Sequence, residues 1–161
     1  MLVASVKELR KSLPPKSRLL GMDHSKSALG LALSNPELSI STPFRTLKGK
    51  KFTENLVALA AICAEYTVRG FVIGLPYNMD GTEGKRAESV RSFATNLLKS
   101  KDVLGFEPVI FFIDERLSTH QAEQFLHEES GVKRKKRGEV VDNLAASHIL
   151  QGALDALSKE A

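Results

Sequence analysis

Hydrophobic positions change their spacing along this chain, and the change outlines a fold. Arg18-Leu19-Leu20-Gly21-Met22-Asp23 is a short apolar run that ends on an acid. Leu29, Leu31 and Leu33 then alternate with Gly30, Ala32 and Ser34. A period of two with small residues on one side predicts a strand that something approaches closely on that side. Asn35-Pro36 is a turn signal, and residues 40–47, interrupted by Pro43, read as a weaker third strand. Short connections make these three an antiparallel meander.

Beyond residue 50 helices and strands alternate. Phe52, Leu56, Leu59, Ala60 and Cys63 fall on one helical face, and Phe71-Val72-Ile73-Gly74 is a continuous buried strand. A turn-rich loop, 75–84, precedes a second helix marked by Ala87, Val90, Phe93, Ala94, Leu97 and Leu98. Residues 108–113 form a third apolar run, too short for a helix, that stops on Asp114-Glu115-Arg116. Ser118 and Gln121 make a capping-box signature for a helix burying Ala122, Phe125 and Leu126. Residues 128–138 read as a polar loop, and a last helix is expected from about 139 to 157. The fold class is therefore α/β, with a mixed five-stranded sheet (three antiparallel strands, then βα units) and helices on both faces. Residues 1–18, mildly amphipathic and closed by Pro14-Pro15, read as a short helix appended outside a domain spanning 19–161.

At 161 residues, one domain buries roughly 70% of the surface its unfolded chain exposes, so neither disulfide nor structural metal is required. A single cysteine, Cys63, excludes a disulfide framework and reads as a small buried hydrophobe. No apolar stretch approaches the ~20 residues that span a bilayer, so no membrane partner is expected. Charge changes the picture more. Residues 1–18 carry five cations against one acid, and 133–137 read Lys-Arg-Lys-Lys-Arg, so with a net charge of +4 the remaining body is acidic. Basic segments around an acidic body suit a polyanionic partner, although an isolated charge run is more often a solvated surface.

Three acids stand at element ends: Asp23 closes the first strand, Glu115 follows the last, and Asp142 lies in the first turn of the final helix. Ligands of open α/β sheets gather at the carboxyl ends of parallel strands. Asp23 and Glu115 share that edge if the first and fifth strands run parallel and adjacent. Asp142 shares its helical face with Ala145, Ala146 and Ile149, which aims it inward. Singly, each acid has a plain structural explanation: a turn, an ion pair with Arg116, a helix dipole. Together they form a carboxylate cluster that repels itself unless a cation joins it, and hard oxygen donors select Mg²⁺ or Mn²⁺. Side-chain alternation lets only one of Asp114 and Glu115 face such a site. His24, His120, His127 and His148 show no metal-ligand spacing.

Four segments resemble the YqgF family, also called the RuvX or Holliday-junction-resolvase-like family, within the ribonuclease H-like superfamily. They are 20–23 with 29–34; the loop 74–84; Asp114-Glu115-Arg116-Leu117-Ser118-Thr119 with Ala122-Glu123; and Val141-Asp142-Asn143-Leu144-Ala145-Ala146 with Ile149-Leu150-Gln151. The resemblance implies a ribonuclease H-like fold and a metal-dependent nuclease. Asp23, Glu115 and Asp142 would be its catalytic acids and the ligands of Mg²⁺ (or Mn²⁺). Structured RNA, a ribosomal 16S precursor above all, is the implied substrate, with four-way junction DNA as the alternative. Lys26, Asn78, Arg116, Lys133, Arg134, Lys135, Lys136 and Arg137 are the expected nucleic-acid contacts. The family's glycine and basic residue after the first acid are replaced by Ser25 and Ala28, which keeps open a non-catalytic nucleic-acid-binding module of the same fold. A monomer or homodimer in the cytoplasm is expected, or in a plastid or mitochondrion if residues 1–18 belong to a leader.

Overall fold

The structure, a computed structural model, describes residues 1–49, 51–115 and 134–160, with side chains from Asn143 onward in the last stretch. Six strands make one sheet: β1 (Leu2–Val3), β2 (Arg18–His24), β3 (Ala28–Ser34), β4 (Ser41–Lys48), β5 (Val68–Leu75) and β6 (Val109–Asp114). Their spatial order is β1-β6-β5-β2-β3-β4. β2, β3 and β4 form the expected antiparallel meander, whereas β5 runs parallel to both β2 and β6. Pro43 sits on the edge strand β4, where a missing N–H is tolerated, and the pairing shifts by one residue beside it.

The described helices are α1 (Val6–Ser12), α2 (Phe52–Tyr66), α3 (Lys85–Leu98), α4 (Lys101–Leu104) and α5 (Arg134–Lys159). α2 and α3 cover one face of the sheet, burying Leu59, Cys63, Val90 and Leu97 against Leu20, Met22, Phe71 and Ile73. α5 covers the other, with Ala146, Ile149, Leu150, Ala153, Leu154 and Leu157 against Leu19, Ala32 and Val72. Among the described residues no helix is long and apolar enough to cross a membrane.

Three expectations are corrected. The sheet has six strands where five are expected, because Leu2 and Val3 pair with Ile110 and Phe111 on the β6 edge. The residues that follow are docked rather than appended. Ser5 caps α1 by accepting from the Glu8 N–H at 3.1 Å, and Leu9 is fully buried against the α5 side of the core. Burying one leucine contributes roughly 1.5–3 kcal/mol, enough to hold a short helix whose isolated stability is negligible. The third correction concerns α5, which is already helical at Arg134, the first described residue of this stretch, rather than starting near 139. Lys and Arg are good helix formers, and the Gly138 within it costs only about 1 kcal/mol, so a helix anchored by its packed face extends back through the basic run.

The small residues of β2 and β3 are explained by α5. A Cβ on Gly21 would lie 2.7 Å from the Ala146 carbonyl oxygen and 2.7 Å from Leu150 Cβ. The helix backbone therefore rests directly on the strand.

Candidate active site

Strand alternation decides which side chains meet. On β2, Leu19, Gly21 and Asp23 share the α5 face while Leu20, Met22 and His24 take the other. On β6, Phe111 and Ile113 pack toward α5, so the residue two further on, Glu115, takes the same side. This settles the choice between neighbouring acids: Glu115 is 4% exposed, and Asp114 lies at the surface.

Asp23 and Glu115 do come together, but not by the expected route. Their strands are parallel without being adjacent, since β5 lies between them. Gly74 of β5 makes the crossing. A Cβ there would lie 2.7 Å from Glu115 Oε2, so only a residue without a side chain lets this carboxylate lie across β5 toward Asp23.

The pair is electrostatically loaded. Burial, first, and then the negative charge of Glu115 push the Asp23 carboxyl up to about 7. Burial also raises Glu115, while Asp23 and the Arg86 guanidinium pull it back. Arg86 Nη2 donates to Glu115 Oε1 at 3.3 Å. The pair therefore takes up its first proton well above the usual carboxylate range and can share it between the two groups. With both groups ionised, Glu115 Oε2 is buried without a hydrogen-bond partner. Two buried, mutually repelling carboxylates with an unsatisfied oxygen are a donor set that fits a hard divalent cation.

Asp142 is placed by its backbone only. Asp23, Gly30 and Thr46 lie in one row across β2, β3 and β4. The Thr46 hydroxyl donates to Asn143 Oδ1, which holds this part of α5 over the Asp23 end of the sheet. The Asp142 side chain lies outside the described residues, as do those of Arg134, Lys135, Lys136 and Arg137; Arg116 and Lys133 lie outside them entirely. Among the described residues Asp23 and Glu115 are thus a pair, with no group of three possible ligands.

The remaining expected contacts are spread around this edge. Lys26 is exposed at the β2–β3 turn, where Ser25 Oγ accepts from the Ala28 N–H at 3.2 Å and donates to its carbonyl at 3.0 Å. The serine hydroxyl closes its own turn. The Asn78 side chain donates to Thr82 Oγ1 at 3.0 Å and braces the 75–84 loop. Cys63 is fully buried, and burial pushes its thiol up to about 12, as an inert core residue requires.

Arg86 is the residue the sequence reading missed. A signal existed: Lys85-Arg86 opens α3, where the helix dipole favours acids instead. Local conflict of this kind marks functional positions. If Glu115 holds a metal in a nuclease, as the resemblance implies, Arg86→Gln lowers the single-turnover cleavage rate about 10–100-fold, the usual cost of losing a group that orients a metal ligand. Arg86→Lys should recover part of it, and equal rates in wild type and Arg86→Gln would remove Arg86 from the site.

Residues 17–156 match the RuvX family, described as Holliday junction resolvase. A protein of Rhodospirillum centenum named "Putative pre-16S rRNA nuclease" is 47% identical over 157 residues, covering 98% of this chain and 83% of the relative. A Roseobacter denitrificans protein of the same name is 44% identical, covering 98% and 94%. Among solved structures, RuvC of Thermus thermophilus in complex with a Holliday junction substrate superposes with a TM-score of 0.55 at 13% identity, covering 90% of this chain and 98% of that one. That likeness concerns the fold, which is of the ribonuclease H-like kind.

Proposed function

The chain belongs to the RuvX family, and from that premise we propose that it is a divalent-metal-dependent nuclease that hydrolyses phosphodiester bonds in structured RNA, the 16S ribosomal precursor being the favoured substrate. The observation that carries this reading is the buried Asp23–Glu115 pair meeting across Gly74, with Glu115 Oε2 left unsatisfied. The names of relatives 42–47% identical over nearly the whole chain favour RNA. The family description favours four-way junction DNA as the second reading.

Asp23 and Glu115, with Asp142 from α5, would hold one or two Mg²⁺ or Mn²⁺ ions. When bound, the metal supplies an activated water and stabilises the leaving oxygen. The chain's own residues prepare for this. Gly74 clears the path between the acids, and Arg86 favours the ionised form of Glu115 and orients it. Burial behind α5 lowers the local dielectric, so charges there act at greater strength than in water.

The deciding assay offers extended 16S precursor, single strands and four-way junctions to the protein, in Mg²⁺ and in EDTA. Cleavage of the precursor in Mg²⁺ alone is expected, with strong loss of binding as salt rises. Cleavage confined to junctions would replace RNA by DNA. RNA binding without cleavage in Mg²⁺ would leave a non-catalytic binding module.

A further inference from the structure

On the His24 face of β2, opposite the face that carries Asp23 and Glu115, lie two depressions that share His24, Ser25 and Lys26. The first is a groove of about 340 Å³ lined by His24, Ser25, Lys26, Lys85, Arg86 and Ser89. Three of its six residues are cationic and two carry hydroxyls. The α3 N-cap, Gly84, offers no side-chain acceptor, so the first-turn N–H groups are uncapped at the same place. Cations gathered at an uncapped helix N-terminus match a phosphate. Arg86 also touches Glu115, so this groove and the acids share a wall.

The second depression, about 100 Å³, shares His24, Ser25 and Lys26 with the first. It runs one turn further along α3, from Ser89 to Phe93, and is closed by Phe52 and Asn55 of α2. Phe93 packs its ring on His24 at 4.6 Å and meets Phe52 edge-on at 5.8 Å. The Asn55 side-chain oxygen is buried with no hydrogen-bond partner. Leaving a buried acceptor unsatisfied is costly, and a ligand N–H that meets it once the Asn55 side chain turns toward the depression removes the cost.

We propose that the two depressions form a subsite for one unpaired nucleotide next to the scissile bond, its phosphate in the Lys26–Lys85–Arg86 groove and its base in the Asn55 pocket. This rests on the nuclease reading and sharpens it. A flat ring with an apolar face and a hydrogen-bonding edge is what aromatic walls plus one amide recognise. A base turned into this depression cannot remain paired, so the favoured substrate is single-stranded or bulged at the cut. Bases with an exocyclic amino group supply the donor that Asn55 Oδ1 lacks.

The test reads binding in EDTA, where no cutting occurs, by fluorescence anisotropy of a labelled oligoribonucleotide, alone and annealed to its complement, over a range of salt. The single strand should bind more tightly than the duplex. Asn55→Leu, which fills the pocket with an apolar group, should weaken the single strand about tenfold, the scale of losing one stacked base, and leave the duplex and the salt slope unchanged. Lys85→Ala should instead flatten the salt slope by about 0.7 for the single strand. Melting curves check that each variant is folded, and Asn55→Ala provides a second removal of the acceptor. Wild-type affinity for the single strand in a folded Asn55 variant overturns the proposal. If the Asn55 effect appears but nothing is cut in Mg²⁺, the subsite stands and the nuclease reading falls; cutting with no Asn55 effect gives the reverse.

Discussion

Asp23→Asn is expected to abolish cleavage and, in the absence of metal, to make the protein more stable at pH 8 than the wild type. Both effects have one cause. The Asp23 carboxyl titrates near pH 7 in the folded chain against an ordinary 3.8, because it is buried beside Glu115. A carboxyl with a raised folded pKa contributes its stability in the protonated form. That contribution is complete below about pH 4 and is lost as pH rises through 7. At 1.36 kcal/mol per unit the loss is on the order of 2–4 kcal/mol by pH 8. An asparagine in the same place never ionises, so the variant keeps what the wild type loses. Chemical denaturation in EDTA should therefore show nearly equal stabilities at pH 4.5 and a variant advantage of about 1–3 kcal/mol at pH 8. Adding Mg²⁺ should restore the wild type at pH 8 and leave the variant unmoved. A variant that is less stable at pH 8, or that still cuts RNA, contradicts the assignment of Asp23.

This trade of stability for a charged pair explains how much of the site was legible in the sequence. Element ends are local features, so Asp23, Glu115 and Asp142 could be singled out from strand and helix patterns alone. The small-residue side of β3 also announced the close approach of α5, seen in the burial of Ala32 against Ala146 and Leu150. Strand order is not local. Nothing in the run Phe71–Gly74 says that it lies between the two acid-bearing strands, and the glycine closing it reads simply as the end of a buried strand. Its role becomes visible only once Glu115 is seen lying over it. Arg86 was hidden for the same reason, being 29 residues from its partner in sequence and reaching it from a different element. Residues 2–3 are too few to carry a strand pattern, and their pairing depends on an open edge of β6 that the sequence does not display.

The strongest check on that crossing is Gly74→Ala. The backbone at this position does not have the positive φ found at Gly49, Gly81 and Gly105, so alanine brings no backbone strain and the effect is steric. Its methyl would sit 2.5 Å from Ile149 Cδ1, 2.7 Å from Glu115 Oε2 and 3.1 Å from Glu115 Cβ. The first contact is with the far end of a side chain in the core, the others with the acid itself. Overpacking of this kind costs about 1–3 kcal/mol. Pushing the carboxylate about 1 Å from Asp23 should lower the cleavage rate about 100-fold. Adding Ile149→Val separates the two effects, since it removes the Cδ1 atom and leaves the acid obstructed. The double variant should be more stable than the sum of the single changes implies, a coupling of about 0.5–3 kcal/mol for residues in contact. Its activity should remain at the level of Gly74→Ala. Recovery of activity together with stability would mean that Gly74 matters for core packing alone, and that Glu115 reaches its position without the gap in β5.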